Sequence, residues 1–311
     1  MLPQFRSLRA SRRVIGTFVP RVLTLSLLFQ TILSFAQVFL GHSVGGLLYY
    51  LGERSVAVGS PGIALATFMD HVVLRAYGTF GHPNILAGYA IISLLIILRL
   101  SPQFRSLPAC AGRRASRRVI GTFAIALTTL LVLLTQSRSA AISLFGLIVP
   151  FYLIKNLKSR IIYLCILALA YFCIPSMLAP TRSDLSSSQR LTLQGLSLSV
   201  VRTYPIFGTG AQASISTYPL VDPSVRLLQP DHNSFTLFFS WFGLFGILAM
   251  LPHFRSLRAS RRVIGTFAIL VPPLFPLLLL DHYLLTSPQG LFIFILYLAI
   301  AVNYSHAQKN L

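Results

Sequence analysis

The sequence predicts an all-α, polytopic transmembrane protein of about eight spans, with N-in/C-in topology and two long outer loops. Hydrophobic residues make up 55% of the 311-residue chain and charged residues only 10%, against roughly 25% charged residues in soluble domains. Several apolar runs approach the ~20 residues that a helix needs to cross a bilayer. We therefore expect a single integral membrane domain over residues 1–311.

Apolar runs define the predicted helices. These are Val22–Leu40, Ile85–Leu100, Val119–Thr135, Ala140–Ile154, Ile161–Leu178, Ser234–Leu251, Val263–Leu280 and Leu291–Val302. The short stretch between Thr135 and Ala140 indicates a break within a helical hairpin. The first run lacks a small-residue cleavage site, so it is interpreted as a retained anchor.

The net charge of +20 is typical of nucleic-acid-binding proteins, but its distribution favours another explanation. With the N-terminus in the cytoplasm, most of the 26 basic residues fall on the inner side, and the six acidic residues fall on the outer side. Positive charge in cytoplasmic loops sets the orientation of membrane proteins. The charge therefore predicts the topology and contacts with anionic membrane lipids, and no nucleic acid partner.

Metal and disulfide chemistry find no support in the sequence. The three cysteines show neither a disulfide framework nor metal-ligand spacing. Histidines and aspartates are not clustered as a metal-dependent hydrolase requires. We therefore expect no metal and no cofactor.

A basic segment occurs in three copies. FRSLRASRRVIGTF lies at 5–18 and 254–267, and a copy with the insertion PACAGR lies at 104–123. Each copy lies on the predicted inner side, and the unequal spacing excludes a solenoid. Two interpretations stay open. The copies are either a duplicated segment tolerated because inner loops favour positive charge, or a lipid-headgroup site made by clustered arginines.

The two long outer loops, about residues 41–83 and 179–231, are interpreted as irregular. The first ends in RAYGTFGHPN (75–84), where Gly78 and the proline predict a fixed turn and Asn84 suits the N-cap of the next helix. The second contains LTLQGLSLSVVRTYP, whose apolar spacing predicts a helix along the membrane surface. Its PIFGTG segment lacks the strand and helix of a nucleotide site, so its glycines are interpreted as turn residues.

Arg138 lies in TQSRSA between two predicted helices, at outer membrane depth. An arginine is costly there unless it is used, and its planar, permanently charged guanidinium suits phosphate. The structural alternative is an arginine that extends to the lipid headgroups. Small Ser and Ala neighbours leave the guanidinium accessible, which favours phosphate.

The segment DHNSFTLFFSWFGLFG places His232 and Asn233 at the outer end of an apolar helix. A membrane tolerates such polar groups mainly where they are used, although a hydrogen-bonded structural histidine is the alternative for His232. Gly243 and Gly246 fall on one face of the helix, where we expect them to let a neighbouring backbone approach closely. We interpret this segment as catalytic.

Glycan transfer would suit these residues. Nucleotide sugars are absent outside the cytoplasm, so a transferase there needs a lipid-linked donor. A pyrophosphate leaving group is stabilised by positive charge and needs no general acid. Such an enzyme requires arginines and one base of near-neutral pKa for the acceptor hydroxyl, and the outer face offers several arginines and His232.

Over about residues 72–302 the chain resembles the O-antigen ligase and O-antigen polymerase superfamily. The matching elements are RAYGTFGHPNILAG, TQSRSA, SSSQR, YPIFGTG, HN-x9-G-x2-G and DHYLLTSPQG at 281–290. The resemblance implies a metal-independent glycosyltransferase of the bacterial inner membrane with its site facing the periplasm. Its substrates would be a polyprenyl-pyrophosphate-linked glycan donor and a glycan, lipid or protein acceptor.

The resemblance also implies roles for individual residues. His232 would activate or orient the acceptor hydroxyl, and the donor pyrophosphate would bind to arginines. These arginines are Arg75, Arg138 and Arg190, with neighbours such as Arg202 as alternatives. The supporting residues would be Asn233, Gly243, Gly246 and Asn84.

Two other functions stay open. Superfamily members have more helices before the RxxGTF motif than the one predicted here, so an inactive, truncated member is one alternative. A transporter or flippase of lipid-linked glycan is the other. It predicts ionisable residues near helix centres, whereas here nearly all of them lie at the outer ends.

Overall fold

The computed structural model describes residues 3–68, 71–100, 111–148, 185–224, 229–258 and 272–307. These residues are mostly helical, as the apolar runs predict. The chain divides into unit 1, Met1–Ala141 with Gln289–Ile300, and unit 2, Ile142–Pro288 with Ala301–Leu311. A single membrane domain stays a prediction.

Unit 1 contains a helical core and a small sheet. Its elements are α1 (Pro3–Leu40), α2 (Leu47–Tyr50), β1 (Leu65–Phe68), β2 (His71–Leu74), α3 (Pro83–Leu100), α4 (Ala111–Thr135) and α5 (Arg138–Ala141). Helices α1, α3 and α4 pack against one another pairwise. Most side chains of α3 are buried, because this helix is apolar on all sides and packs against both other helices.

Helices α1 and α4 begin earlier than the apolar runs predict. Both extend into copies of the basic segment, since α1 starts at Pro3 and α4 at Ala111. Arginine and alanine are good helix formers, so the basic residues extend each helix instead of ending it.

The hairpin of β1 and β2 lies within the first outer loop. The strands are antiparallel, with Leu65 opposite Leu74 and Phe68 opposite His71. The prediction of an irregular loop was wrong over these residues. Strands of four residues are too short to show a clear alternation in sequence, although Thr, Val and Phe favour extended backbone.

The described residues of unit 2 are also mostly helical. Its elements are a π helix (Ile142–Ile148), α6 (Leu185–Thr203), α7 (Ser214–Val221), α8 (Ser234–Arg258), a 3-10 turn (Pro272–Leu274), α9 (Phe275–Leu280) and α10 (Tyr283–Thr286). Helix α11 (Pro288–Ala307) contributes residues to both units. The helix predicted in LTLQGLSLSVVRTYP is α6, which packs on α7 through a core of Leu193, Leu196, Val200 and Tyr218.

Two described helical segments are long and apolar enough to cross a membrane: Gly16–Leu40 and Pro83–Leu100. Shorter apolar segments are Val119–Thr135, Ser234–Ala249 and Pro288–Ile300. The predicted span Ile161–Leu178 and parts of Ala140–Ile154 and Val263–Leu280 lie outside the described residues. The helical class is confirmed, whereas the number of spans and the topology stay predictions.

Helix α8 is broken at Gly243, where φ is 54° and ψ is −153°. The prediction of one continuous helix was wrong at this point. An unbroken helix would bond the Ser240 and Trp241 carbonyls to the amides of Leu244 and Phe245. The break therefore releases four backbone groups that need other partners.

The segment PIFGTG, residues 205–210, supplies those partners. The amides of Thr209 and Gly210 donate to the carbonyls of Ser240 and Trp241, and the amides of Leu244 and Phe245 donate to the carbonyls of Pro205 and Ile206, all at 2.8–2.9 Å. A Cβ on Gly243 would lie 2.6 Å from the Ile206 oxygen, and a Cβ on Gly208 would lie 2.4 Å from the Trp241 carbonyl. The expected close approach occurs at Gly243, through a break in the helix.

Candidate active site

Arg75 follows β2 and is held by two neutral acceptors. Its Nε donates to the Thr135 carbonyl and its Nη2 donates to Asn84 Oδ1, both at 2.7 Å. Ala76 N donates to the Leu134 carbonyl at 3.1 Å. These carbonyls end α4, where the helix itself offers them no donor. The loop thus caps α4 through the Arg75 side chain and the Ala76 amide.

Asn84 is not the N-cap of α3, so that prediction was wrong. Pro83 is the first helical residue, a position that proline favours, and the cap position therefore falls on His82. The Nδ1 of His82 accepts from Asn84 N at 3.2 Å. The Asn84 side chain instead accepts from Arg75.

Two glutamines of α1 fix the rest of this loop. Gln37 Oε1 accepts from Gly78 N at 2.7 Å, and its Nε2 donates to the Gly78 carbonyl at 3.0 Å and to Glu53 Oε1 at 2.8 Å. Gln30 accepts from Thr79 N and donates to the Thr79 hydroxyl. The predicted turn is present, because Gly78 has a φ of 55°.

Arg138 is the first residue of α5, and its side chain is exposed. Gln136, with a φ of 49°, and Ser137 form the break predicted between Thr135 and Ala140. Arg75 binds the Thr135 carbonyl, just before this break. Both arginines are therefore placed by the same end of α4.

In unit 2, His232 directly precedes the N-cap of α8. Asn233 Oδ1 accepts from the amides of Phe235 at 2.9 Å and Thr236 at 3.3 Å, as an N-cap does. One oxygen of Asp231 accepts from Asn233 N at 3.0 Å, and the other accepts from the Thr236 hydroxyl. These bonds fix the backbone on both sides of His232.

A second histidine, His282, lies against His232. The two ring centroids are 5.1 Å apart and the ring planes meet at 83°, which is an edge-to-face contact. His282 Nδ1 is 2.6 Å from Thr286 Oγ1. Ser234 Oγ donates to the Asp281 carbonyl at 2.8 Å, which joins the start of α8 to the residue before His282.

Arg190 of α6 lies beside this histidine pair. Its Nη1 donates to the Leu280 carbonyl at 3.4 Å, another neutral acceptor. Burial, and then the charge of Arg190, lower the pKa of His282 from 6.5 to about 4. Burial also raises the pKa of the Asp231 carboxyl above its usual 3.8. Unit 2 thus holds a guanidinium and two imidazoles close together, those of Arg190, His232 and His282. Of the two imidazoles, His282 is neutral near pH 7.

His282 was not among the predicted site residues. The available signal was the dipeptide Asp-His, which occurs at 70–71, 231–232 and 281–282 and lies close before a helix at the last two positions. DHYLLTSPQG carried part of the family resemblance. Because it is far in sequence from the segment of His232, the sequence gave no reason to pair His282 with His232.

The predicted residues form two sets, one in each unit. Unit 1 holds Arg75, Asn84 and Arg138, and unit 2 holds Arg190, His232, Asn233, Gly243 and Gly246. Gly246 meets the side chains of Phe238 and Phe242, not another backbone. Among the described residues, no group of three or more His, Cys, Asp or Glu side chains is placed to hold a metal ion.

Residues 123–251 match the family model described as O-antigen ligase. This region is O-antigen ligase-like. The resemblance to that family is therefore confirmed, and it implies a membrane glycan ligase-like function. O-antigen ligases are integral proteins of the bacterial inner membrane. No curated protein matches the chain.

The matched O-antigen ligase-like region lies between two copies of the basic segment. It begins at Phe123, where the copy at 104–123 ends, and finishes shortly before the copy at 254–267. The predicted site residues inside the region are Arg138, Arg190, His232, Asn233, Gly243 and Gly246. Those outside it are Arg75 and Asn84.

Proposed function

We propose that this O-antigen ligase-like chain transfers a glycan from a polyprenyl-pyrophosphate carrier to an acceptor hydroxyl at the outer face of the inner membrane. The observation that carries the proposal is the group of His232, His282 and Arg190 in unit 2. It supplies a base of fixed position and a phosphate-binding cation in one place. His232 and Arg190 also lie within the family-matched region.

His232 is the proposed catalytic base. It takes the proton of the acceptor hydroxyl while the hydroxyl oxygen attacks the anomeric carbon of the donor. The bond from that carbon to the pyrophosphate oxygen breaks, and its electron pair leaves with the polyprenyl pyrophosphate. The proton then passes from His232 to solvent. The backbone bonds of Asp231 and Asn233 on either side support this role, because they limit how far the imidazole moves.

The arginines are the proposed binding groups for the donor pyrophosphate. Arg75 and Arg190 are each anchored to neutral carbonyl or amide oxygens, and Arg138 is exposed. A guanidinium is permanently charged, and its fork of donors matches phosphate oxygens. Because a pyrophosphate departs as an anion, these charges stabilise the leaving group directly, and the proposed reaction requires no metal.

The test is glycan transfer by the purified chain in liposomes. An undecaprenyl-pyrophosphate-linked oligosaccharide serves as donor and lipopolysaccharide lacking O-antigen serves as acceptor. We expect His232→Gln to lower transfer at least ~100-fold, as loss of a general base does. Arg138→Gln and Arg190→Gln are expected to raise the KM for the donor.

Exposed residues provide the matched controls. His71→Gln and Arg21→Gln change the same side-chain types at exposed positions of β2 and α1, and both are expected to keep normal transfer. A folded native chain that moves lipid-linked glycan across the bilayer without transferring it would favour the flippase alternative. A folded native chain that does neither would favour the inactive member.

A further inference from the structure

His282 lies in the short link between α9 and α10, and hydrogen bonds fix both its ring and the backbone beside it. Its Nδ1 lies 2.6 Å from the Thr286 hydroxyl one turn later. The Asp281 carbonyl on its N-terminal side accepts from Ser234. The ring is thus tied to α10, and the backbone before it is tied to the first residue of α8, the helix end that also places His232.

The groups around His282 come from three elements. Arg190 lies on α6, His232 precedes α8, and Asp281 and Tyr283 adjoin His282 in its own chain segment. The neighbouring α9 presents the Leu280 carbonyl, which is occupied by Arg190. His282 therefore contacts the imidazole of His232 and also feels the charge of the Arg190 guanidinium.

From this geometry we infer that His282 is a positioning residue for the base His232: its ring packs edge-to-face with the His232 ring and fixes its orientation. The inference rests on the proposed function, since it assigns the residue that orients the proposed base. A general base works only when it is held in line with the proton that it takes.

The chemistry favours a neutral imidazole at this position. When His232 takes the proton of the acceptor hydroxyl, it becomes positively charged. A second positive charge in ring contact would oppose that step. Burial and the guanidinium of Arg190 keep His282 uncharged, so His282 supplies ring contact without repulsion. Arg190 would then bind the donor phosphate and also help to keep His282 neutral.

The experiment compares His282→Ala, His282→Phe and the control His71→Ala in the transfer assay. We expect His282→Ala to lower kcat by about 10- to 100-fold, the scale of a misplaced catalytic group. The KM for the donor should change by less than about 3-fold, because bound phosphate is held by arginines. His282→Phe keeps an aromatic ring, so it should recover part of kcat. His71→Ala should behave as the native chain.

A second readout does not depend on turnover. In protein labelled with 13C-histidine, the His232 signal is assigned by its loss in His232→Gln. We expect His282→Ala to shift the chemical shift and the titration midpoint of His232, and His71→Ala to leave both unchanged. An unchanged His232 signal in folded His282→Ala overturns the inference, as does transfer equal to that of His71→Ala.

The two failures are distinguishable. If the folded native chain transfers no glycan, the proposed function fails, and the His232 titration still decides whether His282 controls that ring. If the native chain transfers glycan and His282→Ala does so equally well, the proposed function stands and only the role of His282 is overturned.

Discussion

The arginine loop of unit 1 (residues 75–84) and the α8 junction of unit 2 (residues 205–210 with the break at Gly243) are held by different means. In the arginine loop, the side chains of Gln30 and Gln37 bond to loop backbone. In the α8 junction, backbone bonds to backbone at 2.8–2.9 Å. The first region therefore depends on which side chains are present, and the second depends on where side chains are absent.

The difference follows from which backbone groups in each region need hydrogen-bond partners. A loop beside a helix can receive its hydrogen bonds from amide side chains, which reach across a gap. A broken helix leaves its own peptide groups without their helical partners, and backbone groups in a packed structure need other partners. Another backbone can supply all four partners only by close approach, which excludes a Cβ on Gly208 and Gly243.

The largest expected effect is that of Gly243→Ala. The new Cβ would lie 2.6 Å from the Ile206 oxygen, and alanine would have to adopt a φ of 54°. We expect the free energy of unfolding to fall by on the order of 3 kcal/mol or more, because strain and the lost backbone bonds act together. Thermal unfolding of the purified protein in detergent measures this.

Gly195→Ala is the matched control. Gly195 is exposed on α6, and its added Cβ would meet nothing within 4 Å. There the change should be neutral or stabilising by up to about 1 kcal/mol, since alanine is the better helix former. Equal stability of the two variants would contradict the account of the α8 junction.

Gln37→Leu tests the arginine loop. Leucine removes the acceptor for the Tyr77 and Gly78 amides and the donor to Glu53. Unsatisfied buried groups cost ~1–3 kcal/mol each, so we expect the unfolding free energy to fall by at least about 2 kcal/mol from the two amides alone. The exposed Gln189→Leu should have little effect. A neutral Gln37→Leu would mean that the hydrogen bonds of Gln37 do not hold the loop.

The smallest expected effect is the contribution of His282 to the pH dependence of stability. The pKa of His282 is lowered from 6.5 to about 4, so between these values the unfolded chain binds a proton that the folded chain does not. Stability from this group is therefore complete above pH 6.5 and is lost as the pH falls towards 4. His282→Phe should lose less thermal stability than the native chain between pH 7 and 4.5.

The pH dependence of His282→Phe must be compared with that of the native chain, because Asp231 also contributes to it. Burial raises its pKa, so its contribution is lost as the pH rises and opposes that of His282. The difference between His282→Phe and the native chain removes this background. His71→Phe should keep the native pH dependence. A native-like pH dependence in His282→Phe would show that this histidine titrates alike in both states.

The two regions also show how far the sequence could be read. Apolar runs located most described helices, and the glycine-rich pattern around Gly78 indicated a turn. The break at Gly243 was missed because the residues that satisfy it lie in another segment, and helical periodicity reports only local pattern. Asn84 was misassigned because the position of Pro83 in the helix decides the cap.

The candidate site was predictable in parts. His232 and the arginines were proposed from residue type and motif order, which need no geometry, and their roles stay predictions. His282 was missed because its significance comes from a ring contact between distant segments. The anchoring of Arg75 by the Thr135 carbonyl likewise depends on how the loop meets the end of α4, which residue spacing does not indicate.

The most direct test of the central claim separates donor binding from chemistry in His232→Gln. Equilibrium binding of the undecaprenyl-pyrophosphate-linked oligosaccharide and its single-turnover transfer are measured on the same liposomes, beside the native chain and Arg190→Gln. We predict that His232→Gln binds the donor normally but transfers at least ~100-fold more slowly, whereas Arg190→Gln binds it more weakly. Native-like transfer by folded His232→Gln, or loss of donor binding together with transfer, would contradict the account.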